Sequence, residues 1–199
     1  RAGGAGCGEA LEHLHNVLAA ACGVGLRAAP AVSLDEPVDA DLALLWLSAS
    51  GKLALTDAQK RHLAAYVRGG GTLLLDAAGG GAAFAASARA LLAELFGPDA
   101  VRPLGDDHQL LTGRFARGLG ANVTTVRTTA AAGRREVTPE LYGVTRDGRV
   151  AVVLSPYALC YPAADLPCPG CRGLQTDDAR RVAANVLLYA LVGRVPMGG

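Results

Sequence analysis

Five polar residues in this sequence have the types and positions to do chemistry together: Ser48, Asp76, His108, Ser155 and Tyr157. Each stands at or just beyond the end of an apolar run of strand length, LALLWL, TLLL, VRPL and RVAVVL in turn. In open parallel sheets ligands bind beyond the carboxyl ends of the strands, so such runs would deliver these side chains to one edge. Ser50, Asp106 and Asp107 join the same set. A carboxylate, an imidazole and hydroxyls in one cleft suit general acid–base catalysis or metal binding. A structural role competes for the same residues, with Asp76 bonding backbone amides of the Gly-rich turn after it and His108 anchoring a loop. The run Gly79-Gly80-Gly81, ahead of a predicted helix, is a candidate anion nest.

Two further groups invite chemistry and carry less. Cys168-Pro169-Gly170-Cys171 has the spacing of a redox pair, but it lies inside a long loop rather than at a helix start after a strand. No His follows it for haem attachment, and no cofactor is expected. His13 and His15 are two residues apart on a predicted helix, so they point to different sides and cannot form an i, i+4 ligand pair.

The elements that must position these residues centre on residues 41–78. Residues 42–47 are almost wholly apolar, as a strand covered on both faces must be. Thr56 and Gln59 have capping-box spacing at the head of a helix that carries Leu63, Tyr66 and Val67 on one side and ends at Gly69-Gly70-Gly71. Residues 72–75 return as a second buried strand, and one helix between two strands predicts a parallel pair with a right-handed crossover. Upstream, Glu9–Cys22 has helical periodicity, and residues 26–34 read as a short edge strand around Pro30. Downstream, the pattern predicts a helix over Phe84–Phe96, a short strand at 101–104 and an irregular excursion over 114–135. Asp147-Gly148 marks a hairpin between 141–146 and 149–154, a loop follows over 155–175, and Thr176 would cap a final helix ending at Gly193.

Composition excludes several classes of function. A 51% hydrophobic share argues against disorder, and a net charge of +1 with scattered basic residues gives no footprint for nucleic acid. No apolar run approaches the roughly 20 residues of a membrane span. Lysine occurs only at Lys52 and Lys60, the other basic residues being arginine, which reads as compositional bias in an Ala- and Gly-rich chain. The first residue is Arg1, with no Met and no strand ahead of the first helix, so the chain reads as the C-terminal or processed part of a longer one.

The ordered set LTDAQKRHLAAYVRGGGTLLLDAAGGGAAF, DDHQLLTGRF, YGVTRDGRVAVVLSPYALC and CRGLQTDDARRVAANVLLYAL resembles the bacterial family known as domain of unknown function 4159. That resemblance implies a fold related to class I glutamine amidotransferases and trehalose-utilisation-type domains. The expectation is α/β: a single three-layer domain over residues 1–199, with a parallel-rich central sheet, helices on both faces and a hairpin near 141–154. The resemblance also implies export to the periplasm or exterior, with other protein subunits of an envelope or extracellular assembly as partners. Relatives often carry paired cysteines where this chain has Ala77-Ala78. The amidotransferase nucleophile would fall near Asp76–Ala78, and no Cys or Ser stands there, so cysteine-dependent glutaminase chemistry is excluded. The expected function is therefore a non-catalytic binding or assembly domain. The alternative is a hydrolase or small-ligand domain using the edge around Asp76 and His108.

Export bears on the cysteines. Cys7 and Cys22 flank the predicted first helix, which spans about 20 Å, too far for a disulfide, and Cys22 reads as a buried thiol. Cys7, Cys160, Cys168 and Cys171 should gather at one sheet edge. In an oxidising compartment they would form two disulfides, and if reduced they could instead bind zinc. Pairing Cys7 with a loop cysteine would close the longest loop, but four cysteines allow three connectivities.

Overall fold

The computed structural model describes residues 5–22, 29–115 and 118–193. The chain opens with helix α1 (Ala5–Cys22), followed by strand β1 (Leu44–Ala49), helix α2 (Asp57–Arg68) and strand β2 (Thr72–Ala77). A 3₁₀ turn at Ala78–Gly80 leads into α3 (Ala82–Phe96), β3 (Val101–Pro103) and the single-turn helix α4 (Gln109–Thr112). Then come β4 (Val126–Arg127), β5 (Glu136–Val137), β6 (Tyr142–Arg146), β7 (Arg149–Ser155), the short α5 (Cys160–Ala163) and α6 (Thr176–Val192).

Local chemistry accounts for the central unit. Thr56 accepts from the Gln59 backbone at 3.3 Å while the Gln59 side chain accepts from the Thr56 backbone at 3.0 Å, a complete capping box on α2. β1 and β2 then pair in parallel, Leu44 opposite Thr72 through Ala49 opposite Ala77. β2 pairs in parallel with β7, while β7 with β6 and β6 with β3 are antiparallel. Asp147 and Gly148 both adopt positive φ, 49° and 77°, the two-residue turn whose twist matches a hairpin.

The five-stranded order is β1-β2-β7-β6-β3, and β4 with β5 forms a separate two-stranded ribbon. Strand alternation sorts the core. Leu73, Leu75, Val152 and Leu154 pack with Leu63 and Val67 of α2 and Phe84 and Leu92 of α3. Trp46, Leu74 and Val153 pack instead with Leu14 of α1, Leu110 of α4, Ala163 of α5 and Val186 of α6.

Several expectations are corrected here. The sheet is mixed, because the Asp147-Gly148 turn makes β6 antiparallel to β7 and β3 adds antiparallel beyond it. β1 ends the strand order among the described residues and is not central. Residues 29–34 form no strand: the Ser33 hydroxyl accepts from the Asp35 backbone and donates to its carboxylate, local bonds that compete with a ladder. Residues 26–28 lie outside the described set. α1 begins at Ala5, so Cys7 falls within the helix rather than ahead of it. Thr176 is the first helical residue of α6, and Gln175 caps it without a side-chain bond, with Asp177 and Asp178 in the first turn. The 155–175 loop contains α5.

Candidate functional site

Strand register builds one row from the predicted residues. Ser48 of β1 lies opposite Asp76 of β2, and Asp76 lies opposite Ser155 of β7. Asp76 falls on the same side of β2 as Leu74, two residues earlier, and so faces the cluster that includes α5. There its carboxylate accepts from the backbone N–H of Leu159 and of Cys160, both at 2.9 Å, and from the Ser48 hydroxyl at 3.1 Å. Leu159 is the N-cap of α5 and has no capping side chain of its own. Asp76 supplies that cap from a distant strand. It bonds amides, as the structural expectation held, but those of α5 rather than those of the Gly-rich turn.

The row is sealed. Ser48, Asp76, Ser155 and Tyr157 are all buried, Asp76 with no exposed surface, and the Ser155 hydroxyl donates to the Tyr157 carbonyl at 2.7 Å. The buried Trp46 indole N–H lies near the same carboxylate without reaching hydrogen-bonding geometry. Burial pushes the Asp76 carboxyl up to about 6, against the opposing pull of the Leu159 and Cys160 amides and the Ser48 hydroxyl.

His108 stands elsewhere. It is the N-cap of α4, where its Nδ1 accepts from the Leu110 backbone at 3.2 Å, and its ring packs 5.7 Å from that of Tyr189 in α6. Burial lowers its pKa, opposed by nearby Asp107. His108 and Asp76 share no hydrogen-bond partner. Asp106, Asp107 and Ser50 are exposed.

Cys168 and Cys171 form a disulfide, with Cα atoms 5.4 Å apart. Cys160 is buried in α5. Cys7 and Cys22 belong to α1, and their side chains lie outside those described. Among the described residues no three His, Cys, Asp or Glu side chains gather as a metal site.

A family model for a domain of unknown function, DUF4159, matches residues 6–191. The chain belongs to this family. A comparison with curated proteins returns no match.

Two cavities of this DUF4159 domain hold polar groups that motif reading missed. One, of about 390 Å³, is lined by Arg127, Gln175, Asp177 and the disulfide. Its cation is already engaged: Arg127 gives its backbone N–H and its Nε to the buried Asp178 carboxylate, both at 2.8 Å. Burial raises the Asp178 pKa, but these bonds and the Arg127 and Arg181 charges outweigh it and hold the carboxyl below its ordinary range. The other, of about 340 Å³, is lined by Gly80, Arg89, Arg135, Glu140, Tyr157 and Arg172 among others. Gly80 belonged to the candidate anion nest; the arginines come from three distant segments with no shared motif. A third missed group is Asn185 of α6, fully buried, which accepts from the Ala121 N–H and donates to the carbonyls of Leu110 and Ala121.

Proposed function

We propose that this DUF4159 domain is a non-catalytic binding and assembly module of an exported bacterial protein, working in the periplasm or outside the cell alongside other protein subunits. The carrying observation is the state of Asp76. Its carboxylate is fully buried and takes hydrogen bonds from two α5 amides and Ser48, so it has no exposed face to offer a substrate. A general acid or base must come within hydrogen-bond reach of the proton it moves. With His108 capping α4, the two residues do not form a pair.

We read the architecture as a single three-layer, amidotransferase-like domain. The support is the alternation of β2 and β7 side chains between a core with α2 and α3 and a core with α1 and α4–α6. The Cys168–Cys171 disulfide supports export, since disulfides persist in oxidising compartments. No described helix is long and apolar enough to cross a membrane. The proposal includes a second disulfide between Cys7 and Cys160, supported by the packing of α1 against α5. Alkylation and mass spectrometry of the unreduced protein test it: one thiol reactive after unfolding is expected, and three would refute it.

The alternative placed a hydrolase or small-ligand site around Asp76 and His108; the arginine-lined cavity contains neither, and it supports small-ligand binding at a different place. Assay of the wild type against ester, amide and phosphoester substrates should give no turnover above buffer. Turnover abolished by Asp76→Asn at unchanged melting temperature would overturn the non-catalytic reading.

A further inference from the structure

We propose that the cavity beside the start of α3 is a binding site for a small oxyanion ligand carrying phosphate or carboxylate groups, held by Arg89, Arg135 and Arg172. The site gives the binding module above a ligand class, and it rests on that reading only for its purpose.

Three arginines from three segments line one cavity: Arg89 from α3, Arg135 from the turn before β5, and Arg172 from the segment after the disulfide. Gathering like charges is unfavourable unless an anion or water compensates. Among the described residues none of the three forms an ion pair, although Arg127, Arg102 and Arg181 each do. Glu140 is the acid among the lining residues, so the lining remains net positive.

Other contacts hold these arginines in place. The Arg89 guanidinium lies 3.9 Å above the Tyr142 ring, and that of Arg172 lies 5.9 Å from the buried Tyr157 ring. The Arg172 backbone N–H donates to the Gly79 carbonyl at 3.0 Å, and its carbonyl accepts from Ala158 at 3.0 Å. Gly80 has φ of +69°, and a side chain there would run into the Arg172 backbone, so glycine permits this close approach. Thr128 brackets Arg135, taking the Arg135 N–H on its hydroxyl and giving its own N–H to the Arg135 carbonyl. Stacking leaves the edge of a guanidinium open, and that planar fork matches carboxylate and phosphate oxygens. The α3 N-terminus adds potential of the same sign, with no acid in its first turn and no side-chain cap. A volume of about 340 Å³ is at the lower end for small-molecule sites.

Calorimetric titration of the whole chain with inorganic pyrophosphate, and separately with citrate, tests the site. Saturable binding of at least one is expected, and the preferred probe assigns the group as phosphate or carboxylate. Arg89→Ala, Arg135→Ala and Arg172→Ala should each weaken binding about tenfold or more, the loss of a charge-assisted bond. Arg61→Ala, on the exposed side of α2, should leave it unchanged. Melting curves confirm that each variant is folded, and Arg172→Lys should retain part of the affinity. No saturable binding of either anion, or equal weakening by Arg61→Ala, overturns the site. Either failure is distinct from that of the non-catalytic reading, which is judged by turnover and stability.

Discussion

Asp76 and Arg172 meet the same short stretch of chain, the end of β2 and the turn after it, and use their charges in opposite ways. Asp76 is fully buried and spent on the amides that start α5. Arg172 is exposed, bonded to Gly79 only through its backbone, with its guanidinium over an aromatic face and no carboxylate partner among the described residues. A buried charge bonded to backbone belongs to the fold; a cation braced by a ring and lacking a counter-ion is open to a ligand. The edge that chemistry-bearing residues mark in the sequence is thus divided into a sealed half and an open half.

The sharpest way to break that division is Asp76→Ala. It strands two α5 amides and the Ser48 hydroxyl, and urea unfolding at pH 4, where the native carboxyl holds its proton, should show a loss of about 3–5 kcal/mol. Asn185→Ala removes another buried bracket and should cost about 2–3 kcal/mol in the same assay, with faster amide exchange at Ala121. His108→Ala removes a cap and a ring contact from the half-buried α4 turn, for roughly 1 kcal/mol. Its native pKa is lowered, so any stability it contributes is present above pH 6.5 and lost as pH falls through the lower native value. On the open side, Arg135→Ala should leave the melting temperature within about 2 °C. A large loss there would make the arginines structural and erase the contrast.

How much of this was legible in the sequence follows from how local each feature is. The capping box of α2, the β1–α2–β2 crossover and the Asp147-Gly148 hairpin are written in neighbouring residues, and all are present. α5 was not legible: Cys160-Tyr161-Pro162-Ala163 has no helical period, and its cap comes from Asp76, 83 residues away from Leu159. Ser48, Asp76 and Ser155 could be aligned because strand ends share an edge, but their burial depends on α5 folding over them. His108 looked like a member of that edge because it follows β3, which runs in the same direction as β7; in the fold β6 stands between β3 and β7, and His108 caps α4 and packs on Tyr189 of α6. The arginines were hidden by composition, since nearly every basic residue in the chain is arginine. Gly80, in the Gly run, and Tyr157, among the candidate polar residues, pointed toward the cavity they line.

Whether the Asp76 carboxyl is sealed in the fold is read from the pH dependence of the unfolding free energy. Its native value of about 6 lies above the ordinary 3.8, so between these values the folded state binds the extra proton. Its contribution is therefore full below about pH 4 and is lost as pH rises through about 6, at roughly 1.4 kcal/mol for each pH unit between the two values. Urea unfolding of the wild type and of Asp76→Asn, from pH 4 to 7, isolates this group as the difference between the two curves. The account predicts that the wild type loses about 3 kcal/mol relative to the variant over that interval. A difference that stays flat, or moves the other way, would show that burial does not raise this carboxyl and would contradict the account.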